Sequence, residues 1–219
     1  MPEKMLVTQA LDERDLLVKK INDKIRKIKL IDTKKRNEEK TVEERATVAE
    51  FGKAAESSYQ QVMDLIDRYQ RIDAAIVASN AATVIKTSQG EFTVAGAIAL
   101  RNRIRGTGIY ADKGNFEEQL TEQIDRQYST AVHLAEMKNK GLETQAESMR
   151  LSILGKDIKV KDDKPLEVVD AYIRENTTEI IDPLDVQKKA QELKDKIDTL
   201  LTELDTQIKV SNATTMIEL

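Results

Sequence analysis

His133 is the chain's single histidine, and there is no cysteine. A histidine-based metal cluster therefore cannot be assembled, thiol catalysis is excluded, and a serine triad would need another residue in the base role. Carboxylates are plentiful, but they alternate with Lys and Arg at helical spacing. Pairs such as Asp64/Arg68 and Glu192/Lys196 sit four residues apart and support helices rather than proton transfer. Arg101, Arg103 and Arg105 lead into Gly106-Thr107-Gly108, which superficially suits a phosphate. A phosphate loop requires a strand before its glycines, a helix after them and usually a Lys-Ser/Thr pair. That context is missing, so a helix stop followed by a loop is expected.

Two further constellations stand out. Lys19, Lys20, Lys24, Arg26, Lys27, Lys29, Lys34, Lys35 and Arg36 are opposed within their stretch only by Asp23 and Asp32. Such a basic segment could meet nucleic acid, an acidic surface or a partner chain, although it carries no aromatic residue on which a base could stack. It also reads as a solvated helix face balanced by the acidic stretch from Glu38 to Glu50. The second constellation is a repetition. Residues 72–85 (IDAAIVASNAATVI) recur at 204–217 (LDTQIKVSNATTMI), with seven of fourteen positions identical. A fainter match links 7–17 with 94–104. Ser79 and Asn80, with Ser211 and Asn212, therefore mark a structural junction. Each Asn is expected to end a helix in the left-handed conformation or to bond the other copy in a buried polar pair. The two helix ends should lie close together, their tails sharing one small sheet.

Composition limits what these residues can be mounted on. The chain has 219 residues, 34% of them charged and 4% aromatic, with eight Gly, three Pro and no Trp. That profile fits long helices packed by aliphatic side chains. A net charge of -4 argues against a protein that works by global attraction to phosphate or anionic membrane. The first twenty residues hold Asp12, Glu13 and Asp15 and no signal-like apolar run, and the longest apolar stretch, 94–100, is too short to span a bilayer.

Leu17, Ile21, Ile25, Ile28 and Ile31 form one aliphatic helical stripe, with a break over 32–40. Thr41-Val-Glu-Glu44 has capping-box spacing, so a second helix is expected from near Val42 to about Ser79. Residues 83–87 and 91–94 read as a hairpin around Gly90. A third helix should run from 93–95 to before Gly106, and a fourth should use Leu120, Ile124, Tyr128, Ala131, Ala135, Leu142, Ala146 and Met149, with Gly141 as a weak point. Residues 156–165 read as a polar loop or small hairpin before a short helix over 166–174. Asp182 should cap the last helix with Pro183 at its first position. A seam from Val186 to Ile208 follows, and the tail should pair with the hairpin strands or with Met5 to Val7. The expected fold is mainly α: an elongated antiparallel long-helix bundle with a pseudo-two-fold internal repeat and a small β-hairpin or sheet. It is read as one domain over 1–219, with one repeat unit over about 5–85 and another over about 92–217 that carries an insertion over about 106–181.

The segments 7–14 (VTQALDER), 79–102 (SNAAT…GEFTVAGAIALRN) and 204–215 (LDTQIKVSNATT) together resemble a helical family of bacteria, tailed phages and prophages labelled septicolysin-like. Asp182-Pro183-Leu184 is similar to its phage-encoded members, whereas Ala213 stands where bacterial members often carry Trp. The resemblance implies a long-helix fold of phage or prophage origin and carries over no catalytic residue.

The function expected from these observations is non-catalytic: a structural or assembly protein, phage-encoded and capsid- or tail-associated, acting through contacts with other copies or with phage structural proteins. No cofactor, metal or membrane is expected. Synthesis in the host cytoplasm and residence in the virion go with this expectation. The alternative is a nucleic-acid-binding or regulatory module that uses the basic segment 19–36.

Overall fold

The computed structural model describes residues 3–110, 114–154 and 164–219. They form β1 (Lys4–Leu6), α1 (Val7–Lys27), α2 (Val48–Ala82), β2 (Val84–Thr87), β3 (Gly90–Thr93), α3 (Val94–Ile104), α4 (Phe116–Leu154), α5 (Lys164–Asn176), α6 (Val186–Thr214) and β4 (Met216–Glu218). The protein is mainly helical, with long helices and two short antiparallel strand pairs, β1 with β4 and β2 with β3. The chain divides into two compact units: Met1–Arg103 with Leu200–Leu219, and Ile104–Thr199. The expected loop or hairpin over 156–165 falls almost wholly outside the described residues.

In the first unit, α1 and α2 form an antiparallel hairpin. Its core joins Met5, Val7, Ala10 and Leu17 to Ile72 and Ile76 of α2 and to Ile217 of β4. The apolar face of α1 ends sooner than its stripe suggests. The helix stops at Lys27, and Ile28 is already extended. Asp32 accounts for the departure. Its carboxylate accepts the backbone N–H groups of Thr33, Glu43 and Glu44 at 2.6, 3.2 and 2.9 Å, and Val42 N–H donates to Thr33 O at 2.8 Å. The segment thus folds back on itself instead of continuing as helix, and these donors hold the Asp32 carboxyl down at about 2.

The start of α2 differs from expectation for a related reason. Thr41 is buried in this loop and bonds Ala46, so it caps nothing. The same Thr-x-x-Glu spacing recurs six residues later. There the Thr47 hydroxyl accepts Glu50 N–H at 3.3 Å while the Glu50 carboxylate accepts Thr47 N–H at 2.9 Å, a reciprocal capping box. Arg68, expected to serve Asp64, instead forks onto two other carboxylates. It bonds Glu13 at 2.8 and 3.1 Å and Glu3 at 2.5 and 2.9 Å, tying the chain before β1 and the first half of α1 to α2. These charge-assisted bonds lower the Glu3 pKa and raise that of Arg68.

In the second unit, Asn115 caps α4 through Glu118 N–H at 3.1 Å. The helix runs unbroken through Gly141. Beyond α4 the chain returns antiparallel: Arg150 pairs with Asp170 at 2.9 Å, Tyr172 OH donates to Gln145 at 3.3 Å, and Lys194 stands 3.7 Å from Asp125. Asn139 orders the link between α5 and α6, because its side-chain amide both donates to Thr178 O and accepts Thr178 N–H, at 3.0 and 2.8 Å. Pro183 does not open α6 as expected but lies in a turn. The Asp182 carboxylate reaches forward to Val186 N–H at 3.0 Å, and Asp185 takes a positive φ of 53° just before the helix.

Ile72 is fully buried at the centre of the first core. Ile72→Ala is expected to cost about 3 kcal/mol through lost burial and a residual cavity, which thermal unfolding would register as a drop of roughly 6–12 °C. The Asp32 bonds make a second prediction. Because its folded pKa lies below its ordinary value of 3.8, the stabilisation is complete above that value and is lost as pH falls towards 2. Hydrogen exchange should show Glu43 and Glu44 amide protection fading across that window, and already absent at neutral pH in Asp32→Ala.

Candidate functional site

The Ser-Asn junction is built where helices pass directly into strands. α2 leads through Thr83 into β2, and α6 leads through Thr215 into β4. Ser79 O accepts Thr83 N–H at 2.9 Å, and Ser211 O accepts Thr215 N–H at 2.8 Å, so both helices keep their bonding to the last turn. Asn80 and Asn212 lie inside the helices, each followed by two more helical residues. They do not end them in the left-handed conformation as expected, because the turn into the strand is made at Thr83, in extended geometry.

The two exits are neighbours. A shallow pocket of about 330 Å³ is lined by Thr83, Val84 and Lys86 from one side and by Gln207, Ser211 and Thr215 from the other. The tails, however, do not share one sheet. β4 pairs with β1, with Ile217 opposite Met5, while β2 pairs with β3, with Ile85 opposite Phe92. Each strand that leaves a helix in this way finds a partner that itself enters a helix: Thr215 O accepts Val7 N–H at 3.0 Å, and Thr83 O accepts Val94 N–H at 2.9 Å.

The ion pairs follow the same correspondence. Arg14 of α1 bonds Asp73 of α2 at 3.2 Å, and Arg101 of α3 bonds Asp205 of α6 at 3.3 Å. Val7 and Val94, Ala10 and Ala97, Ile72 and Leu204, and Ile85 and Ile217 are all buried. One feature has no counterpart: Arg101 Nε is buried without a hydrogen-bond partner. Sequence comparison of the copies aligns Arg14 with Arg101 and Asp73 with Asp205. Their opposite charges at matching positions were the available signal for both pairs. The Arg68 fork had no such signal, since Glu3 and Glu13 lie far from it in sequence.

The basic segment is divided by the fold. Lys19, Lys20, Lys24, Arg26 and Lys27 are on α1, Lys29 is in the extended stretch, and Lys34, Lys35 and Arg36 are in the loop. Much of its charge is engaged locally. Asp23 holds Lys27 at 2.8 Å and Arg26 at 3.7 Å, Glu44 and Glu43 hold Lys29 at 2.8 and 3.3 Å, and Glu38 holds Lys35 at 3.1 Å. Lys24 reaches the Gln61 side-chain oxygen. Lys19, Lys20 and Arg36 stand exposed. Gly106 and Gly108 adopt φ of 60° and 67° just past α3, the geometry of a helix stop, and His133 is exposed on α4.

Chemically, the pocket at the junction offers hydroxyls, the Gln207 amide and the Lys86 ammonium, which Glu91 holds at 2.9 Å. Among the described residues no group of three His, Asp or Glu side chains could hold a metal ion, and no helix is long and apolar enough to cross a membrane. Comparison with protein-family models, curated proteins and solved structures finds no match to this chain.

The Arg101–Asp205 pair makes an asymmetric prediction. Both side chains are mostly covered, so Asp205→Ala removes the carboxylate that faces this cation in a poorly hydrated place, whereas Arg101→Met removes the cation together with its buried, unbonded Nε. Thermal unfolding should fall by roughly 5 °C in Asp205→Ala and by less than half of that in Arg101→Met. The reverse order would show that the pair is not what stabilises this contact.

Proposed function

We propose that this chain is a non-catalytic structural or assembly protein that acts through protein contacts of its long helices. The observation that carries the reading is apolar exposure on helices that are already folded. Phe116, Leu120, Leu134, Met137 and Leu151 on α4 are each half or more exposed, as are Ile25 on α1 and Tyr59 on α2. Side chains of this size, repeated along rigid rods, suit the burial of a partner. The matched ion pairs and strand pairs of the first unit support a duplicated unit with a pseudo-two-fold arrangement, a scaffold that holds helices in fixed places. The sequence resemblance to septicolysin-like proteins of phages and prophages supports a phage-encoded component of capsid or tail.

Mass spectrometry of purified particles from a producing strain is expected to find the chain at stoichiometric level. Its absence from particles would remove the virion assignment. The basic segment favours one other reading, nucleic-acid binding through Lys19, Lys20 and Arg36. Because Asp23, Glu38, Glu43 and Glu44 already engage much of the neighbouring charge, filter binding is expected to show no salt-dependent affinity for DNA or RNA. A steep loss of affinity with rising salt would favour the alternative.

A further inference from the structure

The helix α4 carries two uncharged seams. The first includes Ile124, Tyr128, Ala135, Leu142 and Ala146 and faces the chain's own interior, with Ala135, Leu142 and Ala146 buried. The second lies one residue ahead, about 100° around the helix. Stepping alternately four and three residues from Phe116 to Leu151 meets eleven positions; none is charged, and all are exposed. This is the spacing of a coiled-coil seam. Near its end it adjoins an apolar groove of about 630 Å³ between α4 and α5, lined by Ser148, Met149, Ile153, Val168 and Tyr172.

Gly141 belongs to the second seam. Among the described residues nothing beyond its own helical turns approaches within 4 Å of where its Cβ would stand, and its φ is not positive. A mid-helix glycine costs about 1 kcal/mol relative to alanine, and no contact or backbone geometry among the described residues requires it.

We infer that the second seam of α4 pairs antiparallel with the same seam of a second copy of this chain, about a two-fold axis at Met137. The inference rests on the assembly reading above and names the partner. With the axis at Met137, residues equally far from it are level, so Thr130 meets Thr144, while Leu134 and Gln127 come within one residue of the levels of Gly141 and Ser148, and the glycine makes room for the leucine. The flanking positions bring Arg126 beside Glu147 of the other copy, twice by symmetry. Among the described residues these two side chains pair with Glu122 and Arg150 at 3.7 and 3.6 Å, and Arg126 Nε donates to Glu122 O at 3.4 Å. Parallel pairing would bring no opposite charges together at these positions. The overlap from Gln123 to Leu151 spans roughly 42 Å of helix.

The absence of cysteine makes the register directly measurable. Met137→Cys should oxidise to a disulfide-linked dimer, Leu120→Cys should not, and a mixture of Leu134→Cys with Gly141→Cys should cross-link. Sedimentation should show a dimer that Arg126→Glu weakens roughly tenfold and that Arg126→Glu combined with Glu147→Arg restores. Gly141→Ala should stiffen the helix yet weaken the dimer. All the substituted positions lie outside the interior seam and are exposed, and far-UV circular dichroism checks that each variant folds. A monomer at micromolar concentration, cross-linking of Leu120→Cys equal to that of Met137→Cys, or failure of the charge swap to restore association would overturn the inference. An intact dimer in a protein absent from particles would overturn only the virion assignment, and oligomers indifferent to these variants would overturn only this interface.

Discussion

Two backbone hydrogen bonds, Val7 N–H to Thr215 O and Val94 N–H to Thr83 O, sit where four helices and four strands change over. A helix start leaves N–H groups without intrahelical partners, and a helix end leaves carbonyls in the same position. Here a donor at the start of α1 or α3 lies beside an acceptor just past the end of α6 or α2. The groups that each helix cannot satisfy alone are thus met across the junction. The ion pairs of Arg14 with Asp73 and Arg101 with Asp205 then fix the helices laterally, and the buried Val, Ala and Ile residues fill the space that this geometry leaves. The two similar passages, 72–85 and 204–217, each run through one such junction.

Much of this architecture was legible. The change from helical spacing to alternation after Asn80 located the β2–β3 pair, and the break at Gly106 located the end of α3, because a two-residue turn and a left-handed glycine are local events. The pairing of β4 with Met5 was among the expected options. The errors occurred where two local signals competed. Thr41 and Thr47 both stand three residues before a Glu, and the choice between them was made by Asp32, which captures backbone donors from the segment ahead of Thr47. Propensity at Thr41 carries no trace of a carboxylate nine residues earlier. Likewise the stripe through Ile28 and Ile31 has the right period for a helix, but the helix yields once Lys29 and Asp32 find partners in 43–44.

The candidate sites were less legible for another reason. The apolar seam residues of α4 read as one stripe through Leu120 and Ile124, which are about 40° apart on the helix but differ in burial, Leu120 being exposed and Ile124 partly covered. Two seams one residue apart look like one broad stripe until burial separates them. The basic segment was visible as composition, while the local acids that engage it come from a loop whose path could not be read in advance.

The β1–β4 pairing sets the order in which this protein can be completed as it is made. β2 and β3 are joined by Ser88 and Gln89 and can close as soon as they are synthesised, helped later by Glu203, whose carboxylate accepts Ser88 N–H at 2.9 Å. β1, by contrast, waits for residues 216–218 to leave the ribosome. During that interval Met5, Val7 and Ile76 lack the cover that Ile217 provides. The β2–β3 turn and the β1–β4 pair therefore form at different stages of synthesis, and the core of the first helical hairpin stays open until Ile217 arrives.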